Sequence, residues 1–419
     1  MKSKLVMFLL VALLAIGFVA GCGDADDDAA NGVETHTIVG LFPLTGPLST
    51  FGENSSTVAQ LAAEDVNAWL EEEGADWRLR LEIDDTQTEG PVGLRKMQSW
   101  YGDGVEFFAG PQGSGVAQEC LGFANSNQIL FISPSSTSPA LGIADDWLFR
   151  FCTDDLVQGP AIAAAAEAAG VTHIIFSWMG DTWGDGVQSA AAGSMEDRGI
   201  TVYERELRFD PQKEEFTTDA ALLDEYVTDL VEQGVALENI GVNLISFEQA
   251  APYMAEAANY DQLSEVVWIG SDGTAVSEAI LQHPTASGFA STVKFINSMN
   301  RPAEEVEQSN KEHVREHVRE VLGRDTDAYS YNTYDIIWAM ALSIDEVGYD
   351  TVAVRDILPR VTDEWSQVYG ASGHVVLNEA GDRAFADYDY WVLNDDNEWE
   401  IVGYYDGASD VINWEREIY

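Results

Sequence analysis

From residue 37 onward, short apolar runs alternate with segments in which apolar residues recur every three or four positions. Thr37–Phe42, Leu79–Ile83, Val105–Ala109, Ile129–Ile132 and Trp147–Phe151 read as strands. Gly52–Glu72, Pro91–Tyr101 and Gly115–Asn125, with polar outward positions, read as the helices between them. The alternation then restarts. Helices over Gly159–Ala169, Gly186–Arg198, Ala220–Glu232 and Gln249–Ala258 alternate with strands over His173–Trp178, Val202–Phe209, Ile240–Ile245 and Val266–Gly270. A parallel strand pair needs a crossover, so this order predicts mostly parallel sheets in an α/β protein. Two such series predict two doubly wound blocks. The last third differs. Glu304–Gly323 and Tyr329–Val347 read as helices, and Tyr388–Leu393 with Glu400–Tyr405, joined by Asn394–Asn397, as a β-hairpin. These pieces are too few for a third domain and are expected to complete the first two.

The 419 residues are 46% apolar, enough for two lobes of about 150 residues each. Charge changes the picture: 72 acidic against 21 basic side chains leave a net charge of -51. A disordered acidic chain would lack aromatics, whereas this one carries 12 Trp, 15 Tyr and 17 Phe. Self-repulsion at this charge opposes compaction in dilute buffer, and at about 1 M salt the screening length falls to roughly 3 Å. The composition therefore suits a hypersaline setting, with a merely acidic secreted protein as the alternative. It argues against nucleic-acid partners, which need a basic surface.

Lys2 and Lys4 precede an apolar run, Leu5–Val19, that is short for a membrane span. Val19-Ala20-Gly21-Cys22 resembles a bacterial-type lipoprotein signal, with cleavage before Cys22 and lipidation of its thiol. Residues 1–21 would be the signal and 22–36 an acidic tether. A plain N-terminal anchor helix is the alternative, and both place the folded part outside the cytoplasmic membrane. Cys120 and Cys152 would then be free to form a disulfide, or would be two small buried thiols.

Residues 107–119, FFAGPQGSGVAQE, join a strand to a helix through glycines. The turn lacks the lysine of a phosphate-binding loop and the spacing of a dinucleotide fingerprint. A carboxylate asks for less, and the amides and hydroxyl of Gly113, Ser114 and Gly115 would suffice. Ser133–Pro139, Thr45–Pro47 with Phe51-Gly52, Thr182–Asp185 and Ser271–Thr274 also follow predicted strands, where open α/β sheets hold ligands. His313, Glu316 and His317 fit the H-x-x-E-H pattern of some zinc hydrolases. They sit in a local repeat, KEHVREHVREV, on a charged helix and read as solvent-facing. No G-x-S-x-G is present, so the chain reads as no enzyme and calls for no cofactor, with a zinc hydrolase using His313 and His317 as a remote alternative.

Val39–Gly52, Ile83–Asp85, Phe108–Ser114, Ile129–Pro139, Gln158–Pro160, Trp183–Gly186, Gly270–Gly273 and Tyr329–Tyr334, in this order, resemble the type I periplasmic (extracytoplasmic) solute-binding proteins of the leucine/isoleucine/valine-binding family, which serve ABC transporters. The resemblance spans roughly residues 37–405. It implies two doubly wound parallel-sheet lobes joined by three crossing segments, 37–155 with 293–365 and 156–292 with 366–419, with the ligand in the cleft. By position it implies that Ser114 and Thr137 hold a ligand carboxylate. Ser135, through its carbonyl, and Asp272 hold the ammonium, and Phe51, Trp183, Phe247 and Tyr329 wall the ligand. The implied protein is a monomeric lipoprotein that passes a free amino acid, branched-chain or otherwise neutral, to an ABC permease. Asp272 is one methylene shorter than the family's glutamate, which leaves a receptor for an amide, urea or aromatic acid as the alternative. A sensor that signals instead of feeding a transporter is a further one.

Overall fold

A computed structural model describes residues 33–302, 306, 308–416 and 418. The signal, Cys22 and most of the tether lie outside the described residues. The first block runs β1 (Glu34–Phe42), α1 (Ser49–Glu73), β2 (Trp77–Asp85), α2 (Gly90–Gly102), β3 (Phe107–Ala109), α3 (Ser114–Asn127), β4 (Leu130–Ser133) and β5 (Leu148–Arg150). Its strands form one parallel sheet in the order β2-β1-β3-β4-β5. β3 and β4 are buried along their whole length, as expected where helices cover both faces of a parallel sheet.

The second block runs α4 (Asp155–Ala168), β6 (His173–Met179), α5 (Thr182–Asp197), β7 (Thr201–Val202), β8 (Leu207–Phe209), α6 (Thr217–Glu232), β9 (Ile240–Ile245), α7 (Ala250–Ala257), β10 (Val267–Ile269), α8 (Glu278–Gln282) and α9 (Pro284–Thr292). Its sheet is again parallel, in the order β10-β9-β6-β7, with β8 also on β6. The strand read over Val202–Phe209 is two short pieces on β6, separated by the charged Glu204–Glu206. Four helices start on an aspartate whose carboxylate accepts a first-turn amide: α4 on Asp154, α5 on Asp181, and, further on, α11 (Ala328–Val347) on Asp327 and α12 (Thr351–Tyr369) on Asp350.

Late segments complete both blocks. β11 (Asn297–Asn300), β12 (Tyr388–Leu393), β13 (Trp399–Asp406) and β14 (Val411–Trp414) form an antiparallel sheet, joined to β10 by a bridge between Ile269 and Ile296. The expected hairpin is its centre; β11 and β14 are four residues each, the first mostly polar, and too short for a readable periodicity. α10 (Lys311–Leu322), α11 and α12 return to the first block, where α11 packs between α1 and α12. The helix expected from Glu304 begins, among the described residues, at Lys311.

The buried side chains form two cores. Apart from Leu48, Phe51, Ala328 and Tyr329, which pack with the second core, the chain leaves the first between Phe151 and Cys152, returns between Met299 and Val314, and leaves again between Val375 and Tyr388. These are three crossings. At the first and third, Arg150 bridges to Asp382. Cys120 and Cys152 are free and buried in different cores, so the open choice resolves to two thiols, each raised by burial, Cys120 to about 12. His313 Nε2 lies 2.9 Å from an Asp65 carboxylate oxygen and its ring stands edge-on to Tyr334, and no group of three metal-ligating side chains occurs among the described residues.

Candidate functional site

A cavity lies between the two sheets, lined by Leu48, Phe51, Gly113, Ser135, Trp183, Phe247, Asp272, Gly273 and Tyr329. Six of the eight residues expected there line it. They arrive on α1, α5 and α11 and on the loops after β4, β9 and β10, so the strand ends of both sheets converge on one place. The cavity is narrow, about 20 Å³, room for one water molecule. A larger ligand enters only if the walls part.

Ser114 and Thr137 stand behind the wall. Ser114, fully buried, opens α3, and its Oγ accepts the Ser138 amide at 3.0 Å. Before it, Gly113 lines the cavity at φ +88, a backbone region that favours glycine. α3 has no side-chain cap, so its first amides lack a side-chain acceptor, and its N-cap residue Gly113 lines the cavity. Thr137 Oγ1 is buried without a hydrogen-bond partner.

The Ser133–Pro139 loop is braced from several sides. Asn332 Nδ2 donates to Pro134 O at 2.8 Å, and the Asp155 amide to Thr137 O at 2.8 Å. Arg150 Nη1 donates to both Ser136 O and Ser138 O at 2.8 Å. Its Nε and Nη2 meet the two Asp382 oxygens at 2.5 Å each, with the guanidinium wholly buried. Of residues 134–138 only Ser135 lines the cavity.

The aromatic wall comes in two pairs. Trp183 and Phe247 stack with centroids 4.2 Å apart and planes at 23°. Phe51 and Tyr329 lie 6.2 Å apart and tilted. Gly273 sits beneath the first pair: a Cβ there would lie 2.6 Å from Trp183 Cη2 and Ser246 O and 2.8 Å from Phe247.

Asp272 is the charge centre. Burial pushes its carboxyl above the usual range, opposed by a hydrogen bond from the Tyr329 phenol at 2.6 Å to Oδ2. Its Oδ1 is buried and completes no hydrogen bond, although Gln158 and the amides of Asp272 and Gly273 lie close enough to favour the ionised form. Sequence reasoning missed the neighbour that matters most. Asp155, in the first turn of α4, is fully buried with neither carboxylate oxygen hydrogen-bonded. Burial, then the charge of Asp272, pushes its carboxyl well up. Thr137 lies close enough to favour the ionised form without completing a bond. Buried carboxylate oxygens without partners are costly, and three of them, both of Asp155 and one of Asp272, make this a place suited to a donor or a cation. The signal was legible, an acid just after a strand end, but 72 carboxylates hide one.

Residues 54–396 match the family model described as the receptor family ligand binding region. The chain belongs to this family. Its fold is that of the type I periplasmic binding proteins. The substrate-binding protein LivJ of a branched-chain amino acid transporter from Streptococcus pneumoniae, solved with isoleucine, superposes with a TM-score of 0.72 at 17% identity, covering 88% of this chain and 99% of that one. An uncharacterized protein of Methanocaldococcus jannaschii is 30% identical over 417 residues, 95% of this chain and 97% of its own. The Leu/Ile/Val-binding protein BraC3 of Rhizobium johnstonii is 32% identical over 105 residues, 25% of this chain and 28% of that protein. The family is one of ligand binding, and the chain is a binding protein, not an enzyme. The strand-end cavity between the two sheets, where open α/β sheets hold ligands, is here walled by four aromatics with a carboxylate among them.

Proposed function

We propose that this binding protein captures a free amino acid with an apolar or otherwise neutral side chain, branched-chain ones foremost, and hands it to an ABC permease. The observation that carries the reading is the partnerless Asp272 Oδ1 beside an aromatic wall, across the cavity from the uncapped start of α3. An amino acid needs donors for its carboxylate and an anion for its ammonium a few ångströms apart. Gly113, Ser114 and Thr137 supply the first, with Asp272, the Ser135 carbonyl and Asp155 supplying the second. Charge-assisted hydrogen bonds contribute about 1.5–3 kcal/mol each in such a site. Phe51, Trp183, Phe247 and Tyr329 cover the side chain. Ligand contacts drawn from both lobes favour the closed form over the open one.

The protein works outside the cytoplasmic membrane, tethered as a monomer through lipidated Cys22. Among the described residues no helix is long and apolar enough to cross a membrane. A calorimetric screen of the twenty amino acids and their amides in molar salt tests the reading. Tight binding of one or more neutral amino acids is expected, and binding of none rejects it. An amide receptor is the second reading, favoured by the pressure of burial toward neutral Asp272 and Asp155, since a protonated carboxyl donates to an amide oxygen. The same screen separates the two.

A further inference from the structure

α1 is 25 residues long and begins without help from its own sequence. Its N-cap is Leu48, which offers no side-chain acceptor, and its first turn holds no acidic residue. Elsewhere the chain gives α4, α5, α11 and α12 an aspartate cap each. An uncapped start leaves several amides without acceptors and the positive end of the helix dipole uncompensated.

The acceptor comes from the opposite lobe. Glu248 follows β9 of the second sheet. Its Oε1 accepts from the Thr50 amide at 3.1 Å and the Thr50 hydroxyl at 2.5 Å, and its Oε2 accepts from the Ser49 hydroxyl at 3.1 Å. The Glu248 amide in turn donates to Pro47 O at 3.2 Å. We propose that Glu248 is a cross-cleft cap: it completes the N-terminus of α1 only when the lobes meet, and so holds the binding protein shut.

The placement ties the cap to the ligand. Thr50 precedes Phe51 and Glu248 follows Phe247, and both aromatics line the cavity. Closing the cap therefore sets the two wall residues at their working separation. Glu248 acts through these neighbours and is a positioning residue. Two further contacts cross the cleft: Ser138 Oγ donates to Thr182 O at 2.8 Å, and the Tyr329 phenol on α11 donates to Asp272 Oδ2 at 2.6 Å; neither caps a helix start. When the lobes part, Glu248 returns to water and α1 loses its acceptor, so the open state carries a penalty that the closed state lacks. This inference rests on the two-lobe binding reading but not on which compound binds.

Small-angle scattering of the unliganded full-length protein, with leucine dissociation measured by stopped flow, tests it on Glu248→Ala, Glu248→Gln and Thr50→Val. Glu248→Ala is expected to scatter as a more open particle than wild type and to release leucine about tenfold faster. Glu248→Gln, which keeps one acceptor oxygen, should recover part of both effects. Thr50→Val, which keeps the amide and loses one hydroxyl, should fall between wild type and Ala. A structural role alone would lower the melting temperature and leave the unliganded shape unchanged. Unliganded scattering of Glu248→Ala identical to wild type overturns the cap, even if leucine still binds. A more open Ala variant when neither protein binds any amino acid keeps the cap and rejects the amino-acid reading instead.

Discussion

The Tyr329 phenol donates to Asp272 Oδ2 at 2.6 Å, joining the cleft end of α11 to the loop after β10. One oxygen of the carboxylate is thereby fixed, and the other is left facing whatever the cavity holds. Asp272→Asn should weaken a free amino acid by about 2 kcal/mol or more, roughly thirtyfold, and its amide little. Tyr329→Phe should weaken the amino acid by a smaller factor, since it removes the bond that favours the ionised carboxyl. Titration calorimetry reads both. An Asn variant that binds the amino acid as tightly as wild type sinks the ammonium role.

The two buried acids predict opposite pH responses with and without ligand. In the unliganded protein, burial raises Asp272 and Asp155 above their ordinary values. The folded chain then holds more protons than the unfolded one, so their contribution to stability is present below the unfolded pKa and is lost as pH rises through the raised folded values. An ammonium pairs with the ionised form, expels those protons, and binds more tightly as pH rises through the same window. Calorimetry in two buffers of different ionisation enthalpy should show proton release on binding. Proton uptake would contradict it.

Gly273→Ala places a methyl group 2.6 Å from Trp183 Cη2 and from the Ser246 carbonyl. The stacked pair must shift, and binding should fall by tenfold or more with a modest loss of stability. Gly193→Ala in α5, where nothing lies within 4 Å, is the control and should stabilise by about 0.5–1 kcal/mol. Thermal melts and calorimetry on the two variants decide the matter.

Asp382→Ala leaves the Arg150 guanidinium buried and uncompensated, at a cost of roughly 3–5 kcal/mol in denaturant unfolding. Because Arg150 also holds the carbonyls of Ser136 and Ser138, the variant should lose ligand affinity in addition to stability. A stable variant with unchanged affinity would remove Arg150 from the support of the site.

A net charge of -51 predicts a strong dependence on salt. The melting temperature should climb as NaCl goes from about 0.1 M to molar concentrations, where the screening length shortens from about 10 Å to roughly 3 Å. A flat curve would show that the acidity is not an adaptation to salt.

Much of the fold was legible because its signals are local. β1, β6 and β9 are apolar runs bounded by turn residues, and α1 and α5 keep helical spacing over four turns or more. β11 and β14 were not legible: Asn297–Asn300 is a polar tetrapeptide, buried only because β12 lies beside it. α12 escaped because Pro359 interrupts a pattern that packing against α11 sustains. In the site, Phe51, Ser135, Trp183, Phe247, Asp272 and Tyr329 could be read from strand-end position and resemblance. Asp155 could not be told from its many acidic neighbours, nor Gly273 from an ordinary turn.

Taken alone, the chain determined two parallel α/β blocks, strand-end loops rich in hydroxyls and aromatics, and an acidic exterior, since each follows from periodicity or composition over a few residues. Only the tertiary structure decided that Asp155 lies within electrostatic reach of Asp272, that the Cys120 and Cys152 thiols lie in separate cores, and that Glu248 reaches the start of α1. Those pairs are set by how two cores come together through three crossings. Contacts between residues some 30 to 200 positions apart leave no local pattern to read.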